Sequence, residues 1–320
     1  MESIVLTIGI PVYNGGKDLE RLLSSIKCQE FDQSMVQILV SDNFSTDSSV
    51  QVAVEYGCEV LVSDKNYGAD RNILKTINQA RGKYVWVIGH DDILVNGSIN
   101  RVLGIINNLD NISSIFLNYS LVINNNMIRE KFVEIEGEVL LQSKDEIISK
   151  LGIAPNFISS LIHKREKFLS CNPEKFIGTF WLQIATWLEY AHTETVVALG
   201  EPMILNAGNS EGREANTSDI SLNVLESLYN FYYQYCDTQQ QLRFINKIIS
   251  ESLIRKLFNI RKRNIAINKA KIEWTKSLKT SNISRLKIFA LVYSPWMLVY
   301  CINVLYKSSG LLRRLAWARI

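Results

Sequence analysis

The chain has no CxxC pair. Its five cysteines, Cys28, Cys58, Cys171, Cys236 and Cys301, are scattered through 320 residues. That argues against a zinc ribbon or a disulfide scaffold and fits a reducing compartment. Strong charge of either sign is also missing. The net charge of +3 gives no bulk field to draw in a polyanion, and nucleic acid is not expected as a partner. There is no Pro/Gly/Ser-rich linker, internal repeat or low-complexity segment. No charged leader precedes the first apolar run, since Met1-Glu2-Ser3 passes straight into Ile4-Val5-Leu6. A signal peptide is therefore not expected, and a cytoplasmic location is. Apolar residues are plentiful: at 47% they suffice for a buried core. The length suits one large domain, or a catalytic domain with a smaller appendage.

The first third of the chain alternates between two periodicities. Strands are predicted at Ile4 to Val12, Val36 to Val40, Glu59 to Val62, Tyr84 to Ile88 and Ile115 to Val122. Between them, helical spacing runs through Leu19, Leu22, Leu23 and Ile26, then Val50 to Tyr56, Ala69 to Ala80 and Ile99 to Ile106. Repeated βα units with short connections predict an α/β fold with a mainly parallel, doubly wound sheet flanked by helices. Asn124 to Val139 reads as a hairpin with Asn124-Asn125-Asn126 as its turn. The pattern loosens after about Leu151 and turns helical from Ser221, with a stripe of Leu242, Ile245, Ile249 and Leu253. A boundary near residue 215 separates the sheet domain from a helical C-terminal extension.

Two apolar runs end abruptly in acids. Val36 to Val40 leads into Ser41-Asp42-Asn43, and Tyr84 to Ile88 into Gly89-His90-Asp91-Asp92. An open α/β sheet builds its ligand site beyond the carboxyl ends of its strands. Carboxylates there would repel a bare phosphate. They suit a phosphate that carries a divalent cation, because hard cations take carboxylate and phosphate oxygens together. The bland alternative is an acidic turn before the helix near Ile99.

The order of these segments carries more than any one of them. Ile8-Gly9-Ile10-Pro11-Val12-Tyr13-Asn14 opens the chain. Val40-Ser41-Asp42-Asn43-Phe44-Ser45-Thr46-Asp47, Asn66-Tyr67-Gly68-Ala69-Asp70-Arg71-Asn72 and Gly82 through Asp92 follow. Over about residues 4–125 the set resembles the nucleotide-sugar-binding half of family 2 glycosyltransferases, which have the GT-A fold, a Rossmann-like sheet. The resemblance implies domain 1–215, with a nucleotide-sugar-binding half (1–125) and an acceptor half (126–215), and an extension, 216–320. It implies that Pro11, Tyr13 and Asn14 line the base and ribose pocket, and that Asp42 and Asn43 hydrogen-bond the base or ribose. Arg71 and Asn72 would reach the nucleotide. Asp91 would face the ribose or donor sugar, and Asp92 would bind Mn2+ or Mg2+. Read alone, Pro11 is a strand end, Tyr13 a core residue and Thr46 and Asp47 helix caps.

The chain departs from the family pattern at three places. His90 replaces the first acid of the metal motif and is a further candidate ligand. Asn43 stands where a second carboxylate is usual. With Ile158-Ser159-Ser160-Leu161-Ile162 it is similar to the abequosyltransferase-like branch, whose donors are CDP-linked dideoxyhexoses. The stretch Phe176 to Gln183, where the family supplies its general base, has no acid. Glu174, Glu189 and His192 are the nearby candidates. Trp181 is either a sugar-stacking or a buried aromatic, and the loop Gly208 to Arg213 either a lid over the phosphates or a solvated loop. The sequon Asn43-Phe44-Ser45 lies inside the expected pocket, where glycosylation would block it.

Ile288 to Tyr306 is uncharged and mostly apolar, with Arg285 and Lys287 before it and Lys307, Arg313 and Arg314 after it. Pro295, Asn303 and the aromatics favour a helix lying in the interface over a span; a buried bundle helix is the alternative. The expected function is metal-dependent transfer of a sugar from a nucleoside diphosphate donor to a hydroxyl of a lipid-linked surface polysaccharide or O-antigen intermediate. The expected location is the cytoplasmic face of the plasma membrane. The rival readings are an inactive nucleotide-sugar-binding scaffold and a sugar nucleotidyltransferase. For the second, Asn14-Gly15-Gly16-Lys17 is a faint echo of a phosphate loop.

Overall fold

The computed structural model describes residues 4–123 and 126–207, together with single positions between 226 and 288. The chain divides into two compact units, Met1–Glu211 and Gly212–Ile320.

The first unit holds one sheet of ten strands among the described residues. They are β1 (Leu6–Val12), β2 (Val36–Asp42), β3 (Glu59–Val62), β4 (Tyr84–Val87), β5 (Ile93–Leu94), β6 (Ile112–Ile123), β7 (Asn126–Arg129), β8 (Glu138–Leu141), β9 (Leu161–Lys164) and β10 (Thr195–Asn206). The helices are α1 (Gly16–Lys27), α2 (Ser49–Glu55), α3 (Ala69–Gln79), α4 (Ser98–Asn108), α5 (Lys144–Leu151), α6 (Arg165–Ser170) and α7 (Leu182–Tyr190).

The strand order is β3-β2-β1-β4-β9-β6-β10-β5, with β7 paired to β6 and β8 to β10. The block β3-β2-β1-β4 is wholly parallel, as the βα repeats predict. Its central strands are buried on both faces: Leu6, Ile8, Ile10, Val85, Trp86 and Val87 are all fully enclosed. Burying each such side chain contributes about 1.5–3 kcal/mol. Gly9 lets α3 lie close on β1, because a Cβ there would stand 2.5 Å from Thr76 Cγ2.

The other half of the sheet is mixed. β9 runs antiparallel to both β4 and β6. β10 runs parallel to β6 but antiparallel to β5 and β8. The hairpin expected over Asn124 to Val139 is shorter: β6 pairs with β7, which starts at Asn126 and ends at Arg129, while Val139 lies in β8 and pairs with β10; Asn124 and Asn125 lie outside the described residues. The sheet also does not part at residue 125, because β9 inserts between β4 and β6.

In the second unit Ile245, Ile249, Leu253 and Leu257 are buried. Their spacing of four places them on one helical face, while Leu242 is half-exposed. The loop Gly208 to Arg213 and the apolar stretch after Ile288 lie outside the described residues. Among the described residues no helix is long and apolar enough to cross a membrane.

Candidate active site

The parallel strands β1, β2 and β4 end side by side, so the peptides after Val12, Asp42 and Val87 share one rim. At the end of β1, Pro11 is half-buried and Tyr13 and Asn14 are exposed. Asn14 adopts a left-handed φ of 49°, which asparagine tolerates. Its amide N–H donates to Ser45 Oγ (2.9 Å) and its Oδ1 accepts from the Thr46 amide (2.8 Å). The next two amides are also taken: Gly15 N–H donates to Ser49 Oγ (3.1 Å) and Gly16 N–H to Asp47 Oδ2 (2.9 Å). The entry to α1 is therefore stitched to the 45–49 turn, and its amides do not form an open phosphate cradle. This removes the structural support for the phosphate-loop reading. Asp47 also accepts from the Ser49 amide and hydroxyl, closing a turn one residue ahead of Ser48, which is the N-cap of α2.

Asp42 is 1% exposed. Its Oδ2 accepts from the Ser45 amide at 2.9 Å, while its Oδ1 is buried without a hydrogen-bond partner. A bare carboxylate oxygen in a closed setting is costly unless a ligand donor meets it. Asn43 is buried beside it and fully employed. Its Nδ2 donates to Asn66 Oδ1 (2.8 Å) and the Gly68 carbonyl (3.4 Å), and its Oδ1 accepts from the Tyr67 amide (3.0 Å). A base could reach the Asn43 amide nitrogen only by displacing one of these bonds.

Asn72 is likewise a bracket. It accepts from Ser41 Oγ (2.7 Å) and donates to the Ser41 and Val12 carbonyls, fixing α3 against the ends of β1 and β2. Arg71, next to it, is exposed. Phe44, which the motif comparison passed over, is 49% exposed with a φ of 70°. The side chain thus stands out from the rim beside Asp42.

Beyond β4 the chain turns tightly, with the Asp92 amide donating to the Gly89 carbonyl (3.1 Å). His90 packs over Gly15: a Cβ on that glycine would stand 2.4 Å from His90 Nε2. Asp91 is half-exposed and Asp92 is 1% exposed. Ser159 Oγ accepts from the Gly89 amide (2.9 Å) and donates to Asp92 Oδ2 (2.5 Å). Sequence reasoning noted Ser159 as part of a branch signature and missed this contact.

Among the described residues no group of three or more His, Cys, Asp and Glu side chains is placed to cage a metal ion. A cation that acts on a diphosphate needs no cage, because one or two carboxylates suffice and substrate phosphates and water complete the shell. The adjacent carboxylates of Asp91 and Asp92 fit that demand.

The candidate bases lie on α7 and the turns on either side of it. Glu189 is ion-paired with Lys175 (2.7 Å), and His192 is exposed with its Nδ1 3.3 Å from the Leu188 carbonyl. Glu189 lies in the last turn of α7 and His192 just after it, shortly before β10 begins beside Ile112 at the start of β6. Glu174 is exposed on a single 3-10 turn, Pro173–Phe176. His163 is fully buried, with Nδ1 2.7 Å from the Tyr190 hydroxyl, and burial pushes its imidazole down to about 3. It is a core histidine.

With this geometry in place, the chain's likenesses are informative. Residues 7–163 match the family described as Glycosyl transferase family 2. An abequosyltransferase of Salmonella typhimurium is 34% identical over 102 residues, 30% of this chain and 31% of that protein. The chain spans about a third of the length of the curated relatives it matches. Among solved structures, residues 1–349 of TarS from S. aureus with UDP superpose with a TM-score of 0.63 at 13% identity, over 95% of this chain and 92% of that one. A mannosyltransferase of Pyrobaculum calidifontis with GDP-Man and Mn2+ gives 0.50 at 10% identity, over 97% and 89%. These two likenesses are of fold, a GT-A sheet flanked by helices. Residues 7–163, which build the parallel strands, the acidic rim and β9, are a glycosyl transferase family 2 domain.

Proposed function

We propose that this chain transfers a sugar from a nucleoside diphosphate to a hydroxyl of a saccharide acceptor. The observation that carries this is the meeting of two kinds of acid on one rim: a buried, half-bare Asp42 at the end of β2 and the Asp91–Asp92 pair after β4. Asp42 Oδ1 is suited to accept an N–H of the base, and Tyr13 and Phe44 offer exposed faces beside it. Uracil, thymine and cytosine each present such an N–H, so Asp42 serves any of the three. The cytidine preference draws support from the likeness to an abequosyltransferase rather than from Asn43.

Asp92, held by Ser159, and Asp91 beside it are the residues to hold Mn2+ or Mg2+. When bound, the cation supplies Lewis-acid neutralisation of the departing diphosphate. In the transfer, a bond forms between the acceptor oxygen and the anomeric carbon as the bond from that carbon to the diphosphate breaks. The acceptor proton passes to a general base, for which Glu174, Glu189 and His192 are the candidates. The apolar, basic-flanked stretch Ile288 to Tyr306 supports a lipid-linked acceptor met at the cytoplasmic membrane surface, with salt-sensitive binding to anionic vesicles as its check.

The deciding experiment incubates the chain with UDP-, dTDP- and CDP-sugars and Mn2+, and identifies the released nucleotide. Release of a nucleoside diphosphate that disappears in Asp92→Asn is expected. Donor binding without turnover would instead favour a scaffold. Release of inorganic pyrophosphate from nucleoside triphosphates and sugar 1-phosphates, supplied in a parallel reaction, would favour a nucleotidyltransferase, and no binding of any donor would overturn the proposal.

A further inference from the structure

The segment entering α7 is built to hold an aromatic ring in the open. Asp70, 7% exposed at the start of α3, accepts at one oxygen from the Gly178 amide (2.8 Å) and the Phe180 amide (3.1 Å). Thr179 Oγ1 closes the turn, donating to the Phe176 carbonyl and accepting from the Trp181 amide. Between these bonds Phe180 takes a φ of 64°, unfavourable for a bulky L side chain. It is 78% exposed, the most exposed large apolar side chain among the described residues. A protein gains nothing in stability from clamping a phenyl ring in water at a strained φ.

A second observation points the same way. Gln183, 7% exposed on the first turn of α7, donates its Nε2 to the Ile158 carbonyl (2.9 Å). That bond fixes the amide and leaves Oε1 buried without a partner. Gln183 and Phe180 line one hollow together with Asp70, Pro155, Asn156 and Ile158. It measures about 60 Å³, room for a ring edge and a hydroxyl rather than a whole nucleotide. Ile158 adjoins Ser159, the residue bonded to Asp92, so the hollow borders the acidic rim.

We propose that this hollow is the subsite for a pyranose ring of the acceptor. The C–H face of the sugar rests on Phe180, and a ring hydroxyl donates to Gln183 Oε1. Pyranose C–H groups make an apolar face that suits an aromatic surface, and their hydroxyls supply the donor that Gln183 lacks. Asp70 is a positioning residue, acting through the amides it holds. The subsite rests on the glycosyl-transfer reading of the rim, but its test does not pass through turnover.

The test is ligand-observed saturation-transfer NMR on the full chain with methyl gluco-, galacto-, manno- and rhamnopyranosides. Spectra are taken with Mg2+ and either UDP or CDP, and again with the corresponding nucleotide-sugars. At least one glycoside is expected to bind and to stay bound with the nucleotide present. Its affinity should fall about tenfold or more in Phe180→Ala and survive in Phe180→Tyr, with melting temperatures matching the parent. Equal binding in Phe180→Ala, or no glycoside bound by the parent chain, overturns the proposal. Displacement by nucleotide-sugar but not by nucleotide assigns the ring to the donor and overturns the acceptor assignment. Failure of the transfer reading shows separately, as absence of nucleotide-sugar binding in its own titration.

Discussion

Ser159 Oγ donates to Asp92 Oδ2 across 2.5 Å while accepting the Gly89 amide at 2.9 Å. One hydroxyl thus fixes both the acid and the turn that presents it. Partners of this kind orient a metal-binding carboxylate, and their loss typically costs about 10–100-fold in metal affinity or activity. Ser159→Ala should therefore raise the Mn2+ concentration for half-maximal donor turnover by about that factor. An unchanged cation dependence would remove Ser159 from the site.

The bare oxygen of Asp42 makes a separate prediction. Asp42→Asn keeps one oxygen for the Ser45 amide and sets an N–H donor where a base N–H should dock. A hydrogen bond to a charged group is worth about 1.5–3 kcal/mol, so nucleoside diphosphate affinity should fall roughly 10- to 100-fold. Calorimetric titration reads this directly, and a melting temperature close to the parent's would separate it from unfolding.

Gly89 has no room for a side chain. A Cβ there would stand 2.9 Å from Asp92 Oδ2 and 3.2 Å from Asp91 Oδ1. Gly89→Ala should displace both carboxylates and lower turnover at least about tenfold, with a stability loss of about 1–3 kcal/mol. Gly104 on α4 is the contrast, since a Cβ there meets nothing within 4 Å. Gly104→Ala should leave turnover intact and stabilise the chain by about 0.5–1 kcal/mol. Chemical denaturation and turnover measured on both variants check the pair.

His163 predicts an acid limit. Burial pushes its imidazole down to about 3, whereas in the unfolded chain it protonates below about 6.5. The folded state thus has its full advantage above about pH 6.5. It loses that advantage as pH falls towards 3, by at most about 1.4 kcal/mol per pH unit. The melting temperature of the parent should drop between pH 6.5 and 4.5, and His163→Leu should flatten that decline. Parallel curves for the two proteins would refute it.

The parallel block was legible because its central strands are enclosed on both faces and read as largely apolar runs between turn residues. Glu59–Val62 was read to the residue, and Leu6–Val12 was overrun only at its start. β10 was not read, although it spans twelve residues. Gly200 and Pro202 interrupt its alternation where its register with β6 shifts. β9 hid for another reason: four residues ending in His163-Lys164 carry too little periodicity. Within the site, Asp42, Asp91 and Asp92 stood out as acids at strand ends. Asn43 and Asn72 did not announce that their amides would be consumed by backbone, because that depends on how the 66–68 loop and α3 pack. Ser159 gave no signal of its own, as a serine acquires its role from whichever carboxylate folds against it.

The insertion of β9 between β4 and β6 also governs how this chain can be recombined with a relative. A hybrid joined near residue 125 would take the acid at position 92 from one parent and the hydroxyl at 159 from the other. It would also ask a foreign strand to fill the slot along β4. Swaps that keep residues 1–164 together avoid both mismatches, so the natural seam between an inherited acidic rim and an exchangeable remainder falls just after Lys164.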